Sequence, residues 1–317
     1  MSIARYRWSS LVIQSRTPLP ELQRCDSAMI DVRFECRATG QSHRTGPWSH
    51  RWVLPNGARW LSIARIGDER VLRFERLADF IVSADCRTIR CEAARTTRPH
   101  TIRHLLLDQV LPAITSGERQ FGVHASAVAI DGAAVGFLGR AGRGKSTLAA
   151  AFGLRGAAIV TDDCLILDLS RTGVVAVPTY PSLRLWRKTI DRLGAPVCPA
   201  RATGDMSKLR IGGDNEAGVR FRRRPLPLDR LYLLERGRGS ASPRIVPMSR
   251  RQSYIELMKF RFRLDPRDPI ALRHECDQLA RVAHAVPLAR LQIPFDFSAL
   301  SEVRGAVLED IRSSRRR

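Results

Sequence analysis

The sequence predicts an α/β protein, α+β overall, with a β-rich N-terminal lobe ahead of a unit of alternating strands and helices. Three observations carry that prediction. Gly139-Arg140-Ala141-Gly142-Arg143-Gly144-Lys145-Ser146 fits the pattern GxxxxGK[ST] between an apolar strand-like run, Ala133 to Leu138, and a helix-forming run, Ser146 to Phe152. Asp131-Gly132 splits two apolar runs in the manner of a two-residue hairpin turn. Residues 1–98 hold only short β-type runs separated by turn residues.

In that first stretch the strand-like runs are Ser10 to Ile13, Ala28 to Glu35, Ala58 to Ile63, Val71 to Phe74, Phe80 to Val82 and Thr88 to Glu92. Pro47, Pro55-Asn56-Gly57 and Gly67-Asp68 punctuate them. They hold no catalytic constellation, and residues 1–98 read as a docking or scaffold lobe. Pro99 then opens a helical pattern in which Ile102, Leu105, Leu106, Val110 and Leu111 recur at helix spacing up to Pro112. This places a boundary near residue 98, with a second domain over 99–311 and a basic tail over 312–317.

Pairing Ile130 with Ala133 across the Asp131-Gly132 turn makes residue numbers in the ladder sum to 263, so His124 faces Gly139. His124 is then either a functional group delivered to the glycine-rich loop or a structural histidine at a strand end. Backbone N–H groups of a GxxxxGKS loop form a concavity for phosphate oxygens, the lysine reaches the β and γ phosphates, and the serine hydroxyl ligates Mg²⁺. The loop therefore identifies a nucleotide binder. Gly139, Arg140, Ala141, Gly142, Arg143, Gly144, Lys145, Ser146 and Thr147 are its candidate phosphate-contacting residues, and ATP with Mg²⁺ is the implied cofactor set.

Arg155-Gly156 then turns the chain into Ala157 to Thr161, an apolar strand that stops at Asp162-Asp163. A strand of this kind runs parallel to the one before the loop and opens beside the phosphate crevice. One carboxylate can order Mg²⁺ while the other accepts a hydroxyl proton. Neighbours on a strand point to different sides, so the two acids take different roles, or one is only a cap or surface residue.

Val174 to Val177 and Leu183 to Trp186 read as strands, followed by a short helix over Arg187 to Leu193. Gly194 to Pro227 is glycine-containing and reads as a mobile lid or a disordered segment. Lys208 and Arg210, on the strand-like Lys208 to Ile211, are a possible phosphate clamp. Basic residues are so frequent here that the pair is equally an ordinary surface feature. Leu231 to Glu235 reads as a core strand, Ser253 to Phe260 and Arg267 to Ala285 as amphipathic helices, and Leu288 to Ile293 as a closing strand.

Composition limits the function classes. The 317 residues are 44% hydrophobic, enough for a substantial core. No run approaches the ~20 apolar residues of a membrane span, and the N-terminus lacks the long apolar region of a signal peptide, which points to the cytoplasm. The seven cysteines include no CxxC pair, so neither a disulfide framework nor a zinc site is expected; they read as buried small hydrophobes. The formal charge is +22, yet of 53 basic residues only four, Lys145, Lys188, Lys208 and Lys259, are lysine. Arginine-biased composition and a nucleic-acid footprint both account for that charge. Aromatics interleave poorly with the clusters Arg220 to Arg224 and Arg312 to Arg317, which weighs against single-strand stacking.

The ordered set His124-Ala125-Ser126, Gly139 to Ser146 and Thr161-Asp162-Asp163 resembles the catalytic domain of HPr kinase/phosphorylase. A looser similarity runs through Tyr180 to Trp186 and Leu231 to Arg236 to Arg290-Leu291, as in HPr-kinase-related proteins of lasso-peptide biosynthesis, over about residues 118–300. The resemblance implies the P-loop kinase core shared with phosphoenolpyruvate carboxykinase, and phosphorylation of a serine hydroxyl on a peptide or small protein, such as a ribosomal precursor peptide. It also implies that Lys145 and the loop amides hold phosphate, Ser146 holds Mg²⁺, Asp162 is the general base, Asp163 assists the metal, and His124 hydrogen-bonds to the acid pair; the two aspartates can exchange roles. The stretch after Asp163 lacks the family's signature for phosphorolysis and HPr contact. A nucleic-acid-associated P-loop ATPase and a non-catalytic nucleotide sensor are the alternatives, and a homo-oligomer is compatible with the sequence.

Overall fold

The computed structural model describes residues 3–39, 47–54, 56–117, 119–194, 201–202, 208–211, 218–237, 242–294 and 296–316. The chain divides into two compact units, residues 1–117 with 262–276, and residues 118–261 with 277–317.

In the first unit nine strands form one sheet: β1 (Ala4–Trp8), β2 (Leu11–Ser15), β3 (Gln23–Arg24), β4 (Val32–Ala38), β5 (Trp48–Val53), β6 (Arg59–Ile66), β7 (Glu69–Phe74), β8 (Ala78–Val82) and β9 (Thr88–Ala93). Their order is β3-β1-β2-β4-β9-β8-β7-β6-β5. Each predicted strand has its counterpart here, shifted by a few residues. The strands β1, β3 and β5 were not anticipated, because Arg5, Arg7, His50 and Arg51 interrupt their apolar character.

The helical pattern after Pro99 forms as α1 (Pro99–Leu105), a π-turn over Leu106–Val110 and α2 (Leu111–Ile114). It passes Pro112, which the last segment accepts at its start, where a helix needs no N–H donor. This helical stretch belongs to the first unit, so compactness divides the chain after residue 117 rather than near 98. One tie is visible: Arg103 Nε donates to Glu21 Oε1 at 2.8 Å. The return of residues 262–276 to the first unit had no sequence signal.

The second unit contains β10 (Gln120–Val123), β11 (Ala125–Ile130), β12 (Ala133–Leu138), α3 (Lys145–Gly153), β13 (Ala158–Thr161), β14 (Leu165–Ser170), β15 (Gly173–Val177), β16 (Leu183–Trp186) and α4 (Arg187–Leu193). They are followed by β17 (Arg201–Ala202), β18 (Lys208–Ile211), β19 (Arg220–Phe221), β20 (Leu226–Arg236), β21 (Arg244–Pro247), α5 (Arg250–Phe260), the part of α6 (Pro269–Ala285) from residue 277 onward, β22 (Leu288–Ile293) and α7 (Leu300–Arg315). The main sheet runs β10-β14-β15-β20-β12-β11-β13-β19, with β22 also on β20 and β21 on β22. A small sheet has the order β16-β18-β17.

Alternation along each strand builds two cores. Val128, Ile130, Val135, Phe137, Tyr232 and Leu234 pack with Leu148 and Phe152 of α3 and with Val303, Val307 and Ile311 of α7. Ala125, Ala127, Ala134, Leu138, Leu231 and Leu233 pack with Leu257 of α5 and Leu279 and Val282 of α6. A sheet covered on both faces explains why its central strands read as continuous apolar runs.

The closing element is α7, not the strand at 288–293, and Arg312 and Arg315 lie in its last turn rather than in a basic tail. The reading of the cysteines also changes. Of the described ones only Cys91 and Cys164 are buried, and Cys276 is exposed. Much of the 194–227 lid reading lies outside the described residues. Among those described, no helix is long and apolar enough to cross a membrane.

Candidate functional site

Strand direction assembles the site. The hairpin of β11 and β12 has the predicted register, Ile130 opposite Ala133 and Ala125 opposite Leu138. Its turn residues Asp131 and Gly132 have φ of 48° and 83°, as a two-residue hairpin turn requires. β13 pairs antiparallel with the other side of β11, with Ala127 opposite Thr161. It therefore runs in the same direction as β12, with β11 between them. The carboxyl ends of β12 and β13 and the amino end of β11 share one edge, which carries the glycine-rich loop, Asp162-Asp163 and His124.

The loop stands between strand and helix as its pattern requires. Gly139 has φ of 152°, and a Cβ there would lie 3.3 Å from the Leu234 carbonyl oxygen. Gly144, at the N-cap of α3, has φ of 89°, a left-handed conformation that costs other residues about 1–2 kcal/mol. The first N–H groups of α3 open onto the loop and favour anions. Lys145 is 6% exposed, and its Nζ donates to the Gly139 carbonyl at 2.8 Å. Arg140, Ala141 and Gly142 are exposed, while Arg143, Ser146 and Thr147 are half-buried.

Asp162 links this loop to the strands. Ser126 Oγ donates to its Oδ1 at 2.5 Å and the Arg184 main-chain N–H donates to its Oδ2 at 3.0 Å, while the nearby Ser146 hydroxyl favours its charged form. The residue is 4% exposed. Burial, and then the negative charge of Asp163, push its pKa up to about 6 against the opposing pull of those three groups.

Asp163 takes a different direction. Its φ is 64°, and the Cys164 N–H donates to the Asp162 carbonyl at 2.8 Å, closing a three-residue γ-turn around it. Thr161 Oγ1 fastens that turn to the Cys164 carbonyl at 2.5 Å. A non-glycine residue held at positive φ by its surroundings is the kind of strain that collects at functional sites. The two carboxylates thus meet different partners because the strand ends at Thr161 and the turn centred on Asp163 redirects the chain.

His124 reaches the same turn. Its Nδ1 donates to the Asp163 main-chain carbonyl at 2.8 Å, which places the proton on Nδ1 and makes Nε2 the acceptor in the neutral ring. Its main-chain N–H donates to Phe260 at the end of α5 at 2.6 Å. The anticipated hydrogen bond to the acid pair is therefore made to backbone rather than through this nitrogen to a carboxylate.

Arg184 is the residue that sequence reasoning missed. It lies at the start of β16, buried, with Nη1 3.8 Å from Asp163 Oδ2. Arginine is too common in this chain for one to stand out. Ser126 was visible only as part of His124-Ala125-Ser126, and its role depends on the β11–β13 pairing. Of the possible clamp, Arg210 braces the turn before Arg184: Nε donates to Ser182 Oγ at 3.1 Å and the guanidinium lies 5.4 Å from the Tyr180 ring centre. The side chain of Lys208 lies outside the described residues.

Among the described residues, no group of three or more His, Cys, Asp or Glu is arranged to hold a metal ion. The donor set does fit Mg²⁺ bound with a nucleotide, because that ion takes one or two carboxylates and completes its shell with phosphates and water.

No protein-family model matches the chain, and no curated protein matches it. Among solved structures, the Hpr(Ser) kinase/phosphatase from Coxiella burnetii aligns over 59% of this chain and 97% of that chain, at 15% sequence identity and a TM-score of 0.32. A likeness that loose carries no inference about individual residues.

Proposed function

We propose that the chain is an ATP-dependent serine kinase that transfers the γ-phosphate to a hydroxyl of a peptide or small protein, a ribosomal precursor peptide being one candidate. The supporting observation is that Asp162, a buried carboxylate held by Ser126 and the Arg184 N–H, lies close enough to Ser146 of the glycine-rich loop for that hydroxyl to favour its charged form. Mg²⁺, when bound, would neutralise charge on the transferred phosphate, and Ser146 and Asp163 are the residues that would hold it.

The chain's own residues divide the remaining work. Lys145 and the amides of 139–147 bind the phosphates. Ser146 and Asp163 hold the metal, and Asp162 accepts the proton of the attacking serine hydroxyl at a carboxylate oxygen. Ser126 and the Arg184 N–H orient Asp162 and leave room among its roughly four lone-pair sites for that hydroxyl. With a pKa of about 6 it is ionised at neutral pH and still basic enough to take the proton. His124 holds the turn that aims Asp163. The charge of +22 favours an acidic substrate, and the first unit serves as its docking or scaffold lobe.

Incubation with γ-labelled ATP, Mg²⁺ and acidic serine-containing peptides should yield labelled phosphoserine. Lys145→Ala and Asp162→Asn should each lower the rate by about 100-fold or more. Label released only as free phosphate and stimulated by DNA or RNA would refute the kinase assignment in favour of a nucleic-acid ATPase. Binding without turnover would refute it in favour of a sensor.

A further inference from the structure

We propose that Cys36 and Cys91 form a dithiol modification site in the first unit, closed to a disulfide by hydroperoxides and reopened by small thiols. This site is independent of the glycine-rich loop and of the activity assigned to it. Cys36 lies on β4 and Cys91 directly opposite it on β9, in a parallel ladder that runs from Arg33 opposite Thr88 to Ala38 opposite Ala93. Residues paired in this way project from the same face of a sheet, and the preceding pair on that face, Phe34 and Ile89, is buried. Neighbouring strands stand about 4.8 Å apart, inside the roughly 4.4–6.8 Å between Cα atoms that a disulfide spans. Of the described cysteines, these two are the pair that a ladder sets opposite each other, and both are free thiols.

The two sulfurs are unequal. Cys36 is half-buried, so a small oxidant can reach it, whereas Cys91 is 1% exposed. The nearby Cys91 thiol pulls the pKa of Cys36 down against burial, while Cys36 and then burial push that of Cys91 up. Cys36 is therefore the thiolate that attacks first. Its sulfur bonds to one peroxide oxygen as the O–O bond breaks, leaving a sulfenic acid and a hydroxide that takes up the proton Cys36 released. The Cys91 sulfur then attacks the Cys36 sulfur: the S–S bond forms, the S–O bond breaks, and the hydroxyl leaves with the Cys91 proton as water. The two sulfurs together lose two electrons and the peroxide gains them. A span of about 4.8 Å is shorter than the most common 5.5–6 Å, and a disulfide held short of its preferred span is readily reduced. The β4–β9 ladder is where the run β3-β1-β2-β4 meets the run β9-β8-β7-β6-β5, so oxidation ties the two halves of the sheet together covalently.

The test is to treat the full chain with hydrogen peroxide, alkylate the remaining thiols and digest with trypsin without reduction. We expect the fragment Phe34-Glu35-Cys36-Arg37 to be recovered linked to Cys91-Glu92-Ala93-Ala94-Arg95, and the link to disappear with dithiothreitol. Cys36→Ser and Cys91→Ser should each abolish it, and Cys276→Ser, at an exposed thiol, should leave it unchanged. In Cys91→Ser the sulfenic acid on Cys36 has no partner, so its labelling by dimedone should exceed that of wild type by about tenfold or more. The wild-type link is read without any substitution, so it decides the matter even where a variant fails to fold. Fragments 34–37 and 91–95 that stay unlinked, that join other cysteines instead of each other, or that form a bond resistant to dithiothreitol would overturn the proposal.

Discussion

Asp162 receives hydrogen bonds from two separate segments, β11 through Ser126 and β16 through the Arg184 N–H, and lies near Ser146 of the loop. Its raised pKa has a stability consequence of definite sign. Between pH 4 and 6 the folded chain holds a proton that the unfolded chain, with an ordinary value of 3.8, releases. The contribution is full below pH 4 and is lost as pH rises through about 6, a change of about 3 kcal/mol. Asparagine keeps an acceptor for the Arg184 N–H and carries no charge at any pH. In EDTA, Asp162→Asn should therefore melt above wild type at pH 7.5, with the advantage vanishing toward pH 4. Parallel melting curves across that range would contradict the raised pKa.

Among elements, the join between β12 and α3 is the most sensitive. Gly144→Ala places a side chain at φ of 89°, and we expect a loss of about 1–2 kcal/mol in urea unfolding with at least tenfold weaker nucleotide binding. A second joint holds α7 to the sheet. Arg230 Nε lies 2.8 Å from Asp310 and the Tyr232 hydroxyl donates to the same carboxylate at 2.7 Å. Asp310→Ala should cost about 1–3 kcal/mol in the same measurement, because both partners lose an acceptor at a largely buried site. This helix went unread in the sequence because Arg312 to Arg317 read as a basic tail and charged residues such as Arg304 and Glu309 interrupt the apolar positions before it. Its apolar stripe, Val303, Val307 and Ile311, becomes meaningful only against the face formed by Phe137, Tyr232 and Leu291.

For the whole molecule, the charge of +22 makes its own prediction. Binding to mixed-sequence duplex DNA should be measurable at 50 mM salt, show no preference among sequences and fall by about 10³-fold or more by 200 mM. Affinity for ATP should change far less, because the proposed site draws on buried groups such as Lys145 rather than on the surface field alone. Sequence preference that survives high salt would instead make the basic surface a specific interface.

Much of this protein was legible from local pattern alone. The hairpin register, the loop with its strand and helix, the apolar strand ending in two acids, and the central strand at 231–235 all follow from short-range rules of turn geometry and periodicity, which act within about ten residues. The division into units, the helix at 300–315 and the insertion of β11 between β12 and β13 do not, because they depend on contacts between residues far apart in sequence. The same holds inside the site. The sequence by itself determined that a glycine-rich loop, a histidine and an acid pair lie on one sheet edge. Only the tertiary structure decided that Ser126 and Arg184 complete the grip on Asp162, because a side chain among dozens of similar ones acquires a role only when strand pairing brings it to a particular carboxylate.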